Sequence, residues 1–561
     1  MTALTIARAL KVGPDCLPHI APESERPVWI SVVPREQLLQ AGQAACRTDL
    51  PLRGVPFAVK DNIDVEGMAT TAGCPSFARQ ADRTAPVVRR LLDAGAVLVG
   101  KTNLDQFATG LVGTRTPYGA CSSVFDKRYI SGGSSSGSAV AVTAGQVGFA
   151  LGTDTAGSGR VPAAFNNLVG FKPTRGLLST TGVVPACRSL DCISIFAGNV
   201  ADASLVFDVT RSFDAADPFS REAPPLALFP QPIRIGAPRV QELDFLGDAE
   251  AELFRAAIAR IRSAGMVIEE VEVAGFLEAG RLLYEGAWVA ERYAAVGEFL
   301  ETGPVDADPI VRDIILSARR LTAVDAFRAT YRLAALRRET DHVWNRIDAL
   351  LLPTTPTIFT HEEIAEKPIE RNTILGTYTN FVNLLDLAAI ALPAGFRTNG
   401  LPFGISLIGP AFSDATLLGA AARYEEMFDR RPRIRIAVVG AHLSGQPLNP
   451  QLTEREGRLA GTARTGPHYR LFALAGTKPE KPGLIFDPSF SGRGIEVEIW
   501  EIPEEHVGSF LKLVAAPLGL GTLRLEDGST VHGFICEGSG VEGAREITEF
   551  GGWRAYRASQ V

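Results

Sequence analysis

The stretch Ser131–Arg160 reads SGGSSSGSAVAVTAGQVGFALGTDTAGSGR and decides how the surrounding chain folds. Gly/Ser-rich turns stand at its two ends, with an Ala/Val segment and the apolar run VGFAL between them. A helix of about twelve residues from Ser134 would span roughly 18 Å, and a strand over residues 148–153 would return by roughly 20 Å. The two lengths nearly cancel, so we expect the hydroxyls of Ser134 and Ser158 to meet. Two hydroxyls beside flexible backbone N–H groups indicate nucleophilic chemistry.

The segments on either side of this stretch alternate between strand and helix, which is typical of an α/β sheet. In GVPFAVKDNIDVEG an apolar strand ends at Lys60, and AVLVGKTN is a second strand after the helical pattern APVVRRLLDA. Later strands are predicted in MVIEEVEV, IDALLLPTTP and FGISLIGP. Helices are predicted over residues 35–46, 200–209, 248–264, 276–301, 323–345 and from Ser413 or Asp414 to near Phe428.

The charged, proline-containing segment DRRPRIR at residues 429–435 marks a change in character. Beyond it, the short apolar runs AVVGAHL, YRLFALAG, GIEVEIWEI and TVHGFICEG are separated by Gly and Pro turns. We therefore predict two domains, over residues 1–432 and 433–561. The first is an α/β domain with a mixed central sheet flanked by helices, and the second is a small mixed α/β domain with a barrel-like sheet.

The composition is that of an ordinary globular protein. Hydrophobic residues make up 46% of the 561 residues and charged residues 21%, which excludes disorder and fibrous repeats. A formal net charge of −7 and the lack of a dense Lys/Arg run argue against nucleic acid as a partner. No signal-peptide core or run of about eighteen apolar residues is present, so we expect a cytoplasmic protein without a membrane partner.

The cysteines indicate a reducing compartment. They are odd in number and form no C-x-x-C pair, which is typical of free thiols in a cytosolic protein. We interpret Cys74, Cys121, Cys187 and Cys192 as small packing residues rather than nucleophiles. The full set is Cys16, Cys46, Cys74, Cys121, Cys187, Cys192 and Cys536.

The positions of the histidines restrict which base can activate a serine. None lies between residues 20 and 341, so a local Ser-His-Asp triad is not available around the central stretch, although His342 or His361 could fold in from a distance. Lys60 is then the leading candidate. A lysine accepts a proton only when it is neutral, and burial after the apolar run VPFAV would favour the neutral form.

Three motifs together resemble the amidase signature family. They are VPFAVKDNIDV, GGSSSGSAVAVTAGQVGFALGTDTAGSGRVPAAFNNLVGFKPT and LLLPTTP, within a similarity that spans most of residues 50–430. The resemblance implies the amidase signature fold and a Ser-Ser-Lys unit in which Ser158 is the nucleophile, Ser134 the bridging serine after a cis peptide bond, and Lys60 the base. It also implies an oxyanion hole formed by the backbone N–H groups of residues Thr155, Ala156, Gly157 and Ser158. No metal and no organic cofactor is implied.

Within this family the chain resembles the allophanate hydrolases, in TDTAGSGRVPAAFNN, in GVVPACRSLDCISIF and in its added C-terminal domain. The resemblance implies that Tyr284 and Arg292 of YEGAWVAER hold the small substrate allophanate. A guanidinium can pair with the carboxylate of this substrate through two parallel hydrogen bonds. Eight residues are close to two helical turns, so both side chains could share one helical face. The chain is also expected to form a homodimer.

The C-terminal domain resembles that of allophanate hydrolases, which is thought to help decompose the first product, N-carboxycarbamate, to carbon dioxide and ammonia. His468 is the first choice for a participating histidine and His532 the second. The alternative is that the histidine is structural and the domain serves assembly. The chain shows no biotin-attachment or carboxylase portion, so we expect a separate enzyme to supply allophanate.

Other interpretations start from the same residues. Gly/Ser-rich turns are common connections in proteins and need not carry catalytic residues. Arg292 could be an ordinary surface residue of a helix. GGSSSGS lacks the Gly-Lys-Ser/Thr ending of a P-loop. A broad-specificity amidase or a glutaminase-like amidotransferase subunit would share the serines and the lysine. A non-catalytic scaffold would be expected to lack one of these positions, and none is missing.

Overall fold

The structure is a computed structural model that describes residues 27–46, 49–224, 231–427, 433–455 and 457–560. The chain divides into two compact units, Met1–Asp429 and Arg430–Val561. The predicted domain boundary, between residues 432 and 433, lies three positions after this division and at the edge of the described residues. Cys16 and His19 lie outside them, as does the side chain of Cys46.

The first unit is built on an eleven-stranded sheet with the order β1-β5-β2-β6-β8-β7-β12-β13-β11-β9-β10. Both parallel and antiparallel neighbours occur, so the predicted mixed sheet is confirmed. A separate hairpin pairs β3 with β4. The strands are β1 Trp29–Val32, β2 Pro56–Lys60, β3 Ala69–Thr70, β4 Arg79–Gln80, β5 Val97–Thr102, β6 Phe149–Asp154, β7 Val169–Lys172, β8 Cys192–Ala197, β9 Arg234–Ala237, β10 Val267–Glu270, β11 Ala349–Pro353, β12 Leu387–Phe396 and β13 Pro402–Pro410.

Helices flank this sheet. They are α1 Arg35–Cys46, α2 Pro86–Asp93, α3 Ser136–Thr143, α4 Val161–Phe165, α5 Val200–Thr210, α6 Asp248–Ser263, α7 Ala274–Glu285, α8 Val289–Glu301, α9 Pro309–Ser317, α10 Ala323–Asp341, α11 His361–Glu366, α12 Pro368–Leu375, α13 Phe381–Leu384 and α14 Asp414–Glu426.

The central strands are buried along their length and mostly apolar, because both of their faces are covered. Every residue of β2, β6 and β8 is buried. Such near-continuous apolar runs are typical of strands with helices on both sides. Strands β2 and β6 are parallel neighbours, with Val59 opposite Leu151. Their carboxyl ends therefore lie at one edge of the sheet, which places Lys60 beside the residues that follow β6.

Two helix predictions need correction. Helix α3 has eight residues instead of about twelve, because the chain leaves the helix at Ala144 and turns through Gly145 at φ +68°. The single helix expected over residues 276–301 is two helices, α7 and α8. The break begins at Gly286, where the backbone becomes extended. A side chain would not fit there, because a Cβ would lie 2.4 Å from the Leu282 carbonyl oxygen.

The second unit contains a five-stranded sheet with the order β15-β18-β14-β20-β19 and a three-stranded sheet with the order β17-β16-β21. A bridge between Thr465 and Leu525 joins the ends of the two outer strands of the larger sheet, which makes it barrel-like. The elements are β14 Arg433–Val438, α15 Pro450–Thr453, β15 Arg458–Arg464, β16 Tyr469–Ala473, β17 Pro482–Phe486, β18 Glu496–Pro503, α16 Glu504–Leu511, β19 Leu518–Arg524, β20 Thr530–Cys536, β21 Arg545–Glu546 and α17 Trp553–Ala558.

In the part of the chain that the structure describes, no helix combines the length and the apolar character that crossing a membrane requires.

Candidate active site

Lys60 is the last residue of β2 and is fully buried. Its Nζ donates hydrogen bonds to Oγ of Ser134 at 2.7 Å and to Oγ1 of Thr153 at 2.8 Å. The contact with Thr153 follows from the parallel pairing of β2 and β6, because both residues stand at the carboxyl ends of neighbouring strands. The structure thus brings together the lysine and the first of the two predicted serines.

The environment of Lys60 favours the neutral amine. Burial lowers the pKa of Lys60 from 10.5 to about 7. The carboxylates of Asp105, Asp191 and Asp154 oppose this shift, and the guanidinium of Arg292 adds to it. The sequence argument required a lysine held neutral by burial, and the structure supplies that condition.

Ser134 follows Gly133 through a cis peptide bond, as the family resemblance implies. The chain is packed tightly at this point, since a Cβ on Gly133 would lie 2.1 Å from Oδ2 of Asp105. That carboxylate accepts hydrogen bonds from the backbone N–H groups of Val112, Gly113 and Arg115. Asp105 therefore fixes the loop against which the bridging serine rests.

Ser158 lies in the turn after β6 and is buried. Its Oγ donates a long hydrogen bond of 3.5 Å to the carbonyl oxygen of Gly110. Among the hydrogen bonds of the described residues, none joins the hydroxyls of Ser134 and Ser158. Proton transfer between the serines requires Ser158 to turn from Gly110 toward Ser134.

A buried ion pair holds the turn that carries Ser158. Arg160 binds the Asp154 carboxylate through Nε and Nη2, each at 2.9 Å, and both side chains are fully buried. The same carboxylate accepts the N–H groups of Gly157 at 2.8 Å and Gly159 at 3.1 Å. The turn is therefore held from within, by a charge-assisted network between its first and last residues.

This network changes the predicted oxyanion hole. The N–H of Gly157 was expected to face the substrate, but it is engaged by Asp154. The N–H groups of Thr155, Ala156 and Ser158 make no hydrogen bond to an acceptor within the described residues. These three donors are the ones left to bind an oxygen that gains negative charge.

Tyr284 and Arg292 lie on different helices, since the first is in α7 and the second in α8. The expectation of one shared helical face is therefore wrong. The break between the helices nevertheless brings them together, with the guanidinium carbon of Arg292 5.6 Å from the centre of the Tyr284 ring.

Arg292 is buried and only partly satisfied. Its Nη1 donates to Oγ1 of Thr109 at 2.9 Å and to the Ala108 carbonyl at 3.4 Å, whereas its Nε has no partner. No carboxylate of the described residues forms an ion pair with it. A buried guanidinium with no direct ion pair and an unused donor is suited to bind an anionic group.

Several residues of the site were missed from the sequence. Thr153, Thr109, Asp191 and Asn383 all bind parts of it directly. Thr153 was within reach of prediction, because it precedes the nucleophile turn on a strand parallel to that of Lys60. The others come from segments distant in the chain, and only the tertiary fold brings them to the site.

The pKa values of the thiols near the site favour the protonated form, which is a weak nucleophile. Burial raises the pKa of Cys187 and Cys121 to about 12 and that of Cys192 to about 11. Burial is also the chief cause that raises the pKa of Cys74 to about 12. All of the described cysteines with placed side chains are free and buried, which agrees with their interpretation as packing residues.

In the second unit, Nδ1 of His468 lies 2.6 Å from the carbonyl oxygen of Phe490 and donates to it, which leaves Nε2 as the nitrogen able to accept a proton. His532 is exposed on β20. The sequence analysis did not single out His442, which stacks on Phe534 with ring centres 4.9 Å apart and whose Nε2 lies 2.9 Å from Gln451. Burial lowers the pKa of His442.

Two family matches divide the chain as its two units do. Residues 23–418 match the Amidase family, and residues 434–558 match the Allophanate hydrolase C-terminal domain. Both matches lie on their own side of the division between the compact units.

Known relatives extend this similarity. The Lachancea kluyveri protein described as urea amidolyase is 44% identical over 573 aligned residues, which cover 95% of this chain but only 31% of that protein. The Kluyveromyces lactis structure described as allophanate hydrolase is 42% identical, with a TM-score of 0.71 over 99% of this chain and 97% of that one. A Symbiobacterium thermophilum protein, described as one of the subunits of glutamyl-tRNA(Gln) amidotransferase, is 36% identical over 71% of this chain and 87% of its own length.

Proposed function

Because this chain belongs to the amidase family and carries an allophanate hydrolase C-terminal domain, we propose that it hydrolyses allophanate. The products of the first unit are ammonia and N-carboxycarbamate, and the overall products are ammonia and carbon dioxide. The observation that carries this proposal is the 2.7 Å hydrogen bond between the buried, readily deprotonated Lys60 and Ser134, beside the nucleophile turn. The similarity to the K. lactis allophanate hydrolase over nearly both chains supports the choice of substrate.

The reaction begins with proton transfer along the Ser-Ser-Lys unit. Neutral Lys60 donates one hydrogen bond to Thr153 and uses its lone pair to accept the proton of Ser134. Ser134 in turn accepts the proton of Ser158, once that hydroxyl has left the Gly110 carbonyl. The oxygen of Ser158 then attacks the terminal amide carbon of the substrate.

The negative charge that forms on the carbonyl oxygen is stabilised by the N–H groups of Thr155, Ala156 and Ser158. These donors belong to a turn already fixed by Asp154, so little reorganisation is needed during the reaction. The proton returns through Ser134 to the leaving nitrogen, and ammonia departs. Water then attacks the acyl group on Ser158 with the same lysine as base, which releases N-carboxycarbamate and restores the enzyme.

Arg292 and Tyr284 bind the far end of the substrate. Allophanate carries a carboxylate at the end opposite the amide that is cleaved, and Arg292 offers a buried cation with an unused Nε donor. The adjacent Tyr284 ring packs against the guanidinium and limits its orientations. A site of this kind favours small anionic amides over neutral ones, because a neutral substrate leaves the arginine unpaired.

A broad-specificity amidase or a glutaminase-like component of an amidotransferase is the alternative function, and the 36% identity with the S. thermophilum amidotransferase relative supports the shared chemistry. That relative matches 71% of this chain, whereas the allophanate hydrolase structure matches 99%. The second unit and the buried Arg292 therefore favour allophanate.

The assembly and supply of the enzyme remain predictions. We expect a homodimer in the cytoplasm, with allophanate made by a separate enzyme. The chain spans 31% of the length of the urea amidolyase relatives from L. kluyveri and S. cerevisiae, so the activities of those whole proteins are not assigned to it.

Ammonia release from allophanate and from propionamide tests the proposal. We expect Ser158→Ala and Lys60→Ala to lose nearly all turnover, on the order of a thousandfold or more, because each removes an essential group of the relay. Measured at about pH 9, above the acid limb set by Lys60, Arg292→Gln should chiefly raise KM for allophanate and leave propionamide turnover within about twofold, because the neutral amide has no carboxylate to bind.

The control variant is Cys536→Ser, which lies in the second unit and far from the relay in sequence. It should keep wild-type turnover of both substrates. Full activity in Lys60→Ala would overturn the relay. Equal efficiency of the wild type on the two substrates would instead favour the general amidase.

A further inference from the structure

The segment Ala186–Asp191 connects the nucleophile turn to the helix that carries Arg292. On one side, the Asp191 carboxylate accepts a hydrogen bond of 2.5 Å from the Thr155 hydroxyl. It also accepts the segment's own N–H groups, from Ala186 at 2.8 Å and Cys187 at 3.2 Å. Asp191 thus joins the segment directly to the first residue of the proposed oxyanion hole.

A second tie comes from Asn383. Its Nδ2 donates to the carbonyl of Asp154 at 2.7 Å and to that of Leu190 at 2.9 Å. Its Oδ1 accepts from Arg160 at 3.3 Å. One side chain therefore holds the segment against the strand end from which the nucleophile turn begins.

On the other side, the segment is bound to the first turn of α8. The Glu291 carboxylate accepts the backbone N–H of Ser189 at 2.8 Å with one oxygen and the Ser189 hydroxyl with the other. Cys187 adds a contact of 3.5 Å from Sγ to the carbonyl of Trp288, the residue before the helix. Because Ser189 donates two hydrogen bonds to the Glu291 carboxylate, the contact restricts the rotation of α8 as well as its distance from the segment.

Glu291 directly precedes Arg292, and its position decides the charge available to a substrate. A carboxylate so close in sequence could neutralise the guanidinium, but Ser189 satisfies both of its oxygens instead. Arg292 is left with Thr109 and Ala108 as partners and with an unpaired Nε. The contact between Ser189 and Glu291 therefore holds the helix in place and leaves Arg292 without a direct ion pair to Glu291.

We propose that Ser189 and Glu291 form a positioning pair that selects the substrate by length and charge. Through the segment Ala186–Asp191, the pair sets the separation between the nucleophile turn and Arg292. An amide is bound well when its carboxylate reaches Arg292 while its carbonyl lies at Ser158. The inference rests on the proposed function, because it assigns to Arg292 the carboxylate of the substrate.

The test compares Glu291→Gln and Ser189→Ala with Glu298→Gln, an exposed substitution of the same kind on the same helix. We measure kcat and KM for allophanate and for propionamide. The two test variants should raise KM for allophanate about tenfold or more, with smaller changes in kcat, and should leave propionamide kcat/KM within about twofold. The control should match the wild type on both substrates.

The double variant Ser189→Ala/Glu291→Gln adds a readout of coupling. Because the two residues act through the same contact, their effects should not add. The KM of the double variant for allophanate should lie within about twofold of that of the more impaired single variant. Equal losses on allophanate and propionamide, or no change on either, would overturn the positioning role.

Arg292→Gln separates this inference from the proposed function. If Arg292→Gln raises KM for allophanate and Glu291→Gln does not, the positioning pair fails while the substrate assignment stands. If Arg292→Gln treats the two substrates alike, the substrate assignment itself fails.

Discussion

The proposed role of Lys60 as a base depends on its surroundings. An exposed lysine is protonated at neutral pH, whereas this side chain is fully buried and its pKa is lowered to about 7. Ser134 and Thr153 each form a hydrogen bond with it without supplying a charge. A base with a pKa near the working pH combines a large neutral fraction with useful basicity.

The pH profile of catalysis should report this lysine. Since the active form is deprotonated, kcat/KM for propionamide should rise with pH through about 7 and level off above about 8. About one tenth of the lysine is neutral at pH 6 and about nine tenths at pH 8, so we expect a roughly tenfold rise between those values. Steady-state kinetics from pH 5.5 to 9 at constant ionic strength measures it.

A neighbouring charge provides the control for that assignment. Arg292 lowers the pKa of Lys60, so Arg292→Gln should move the acid limb of the profile to higher pH, while Glu298→Gln should leave it in place. Burial raises the pKa of Asp191 to about 6, so this carboxyl group ionises in the same pH range as the acid limb of the profile. A limb near pH 10 in the wild type would contradict a lysine poised at neutral pH.

At the scale of elements, the site depends on two parallel strand ends and the turn that follows one of them. Strand β2 delivers Lys60 and β6 delivers Thr153, and the turn after β6 carries Ser158. Gly157 in this turn has φ +137°, and a Cβ there would lie 2.4 Å from Oγ1 of Thr379. Only glycine fits both the backbone conformation and the space.

Replacing this glycine should damage catalysis more than folding. In Gly157→Ala the added methyl displaces the turn from Thr379 and misdirects the adjacent N–H groups. We expect kcat to fall on the order of a hundredfold or more, the scale of losing an oxyanion-hole donor. Ammonia-release kinetics and thermal unfolding of the same samples measure the two effects.

Gly145→Ala is the matched control. Gly145 lies in the turn between α3 and β6, at φ +68°, and a Cβ there has no neighbour within 4 Å. An alanine in this left-handed conformation costs about 1 kcal/mol in the free energy of unfolding and should leave kcat unchanged. A kcat in Gly157→Ala that is as unchanged as that of Gly145→Ala would show that the turn tolerates displacement.

The sequence revealed the parts of the site that depend on local pattern. The strand ending at Lys60 and the two glycine-rich turns were predicted because apolar runs and Gly/Ser clusters are visible in a single segment. The break between α7 and α8 was missed, since YEGAWVAER has one glycine and otherwise helical spacing. The engagement of Gly157 by Asp154 depends on side-chain geometry within the turn, which spacing does not specify.

At the scale of the whole molecule, the proposed function divides the chemistry between two separately built units. The residues of the Ser-Ser-Lys unit and Arg292 belong to the first unit. The second unit has its own core, which includes Trp500, Trp553 and Tyr556. A substitution at a half-buried position of the second unit is therefore expected to leave the first reaction intact.

His468 provides the prediction that separates the two units. In the full chain, His468→Ala should release the first ammonia at the wild-type rate but decompose N-carboxycarbamate more slowly, because Nε2 is lost as a proton acceptor. Carbon-13 NMR of labelled substrate should then show N-carboxycarbamate at several times its wild-type peak level. His532→Ala tests the second candidate, and a slower decomposition in that variant alone would move the role to His532. His506→Ala, which removes a half-exposed histidine on α16, is the control, with a wild-type time course expected. An identical course in both His468→Ala and His532→Ala would show that the intermediate decomposes without either histidine, and the second unit would then be assigned to assembly.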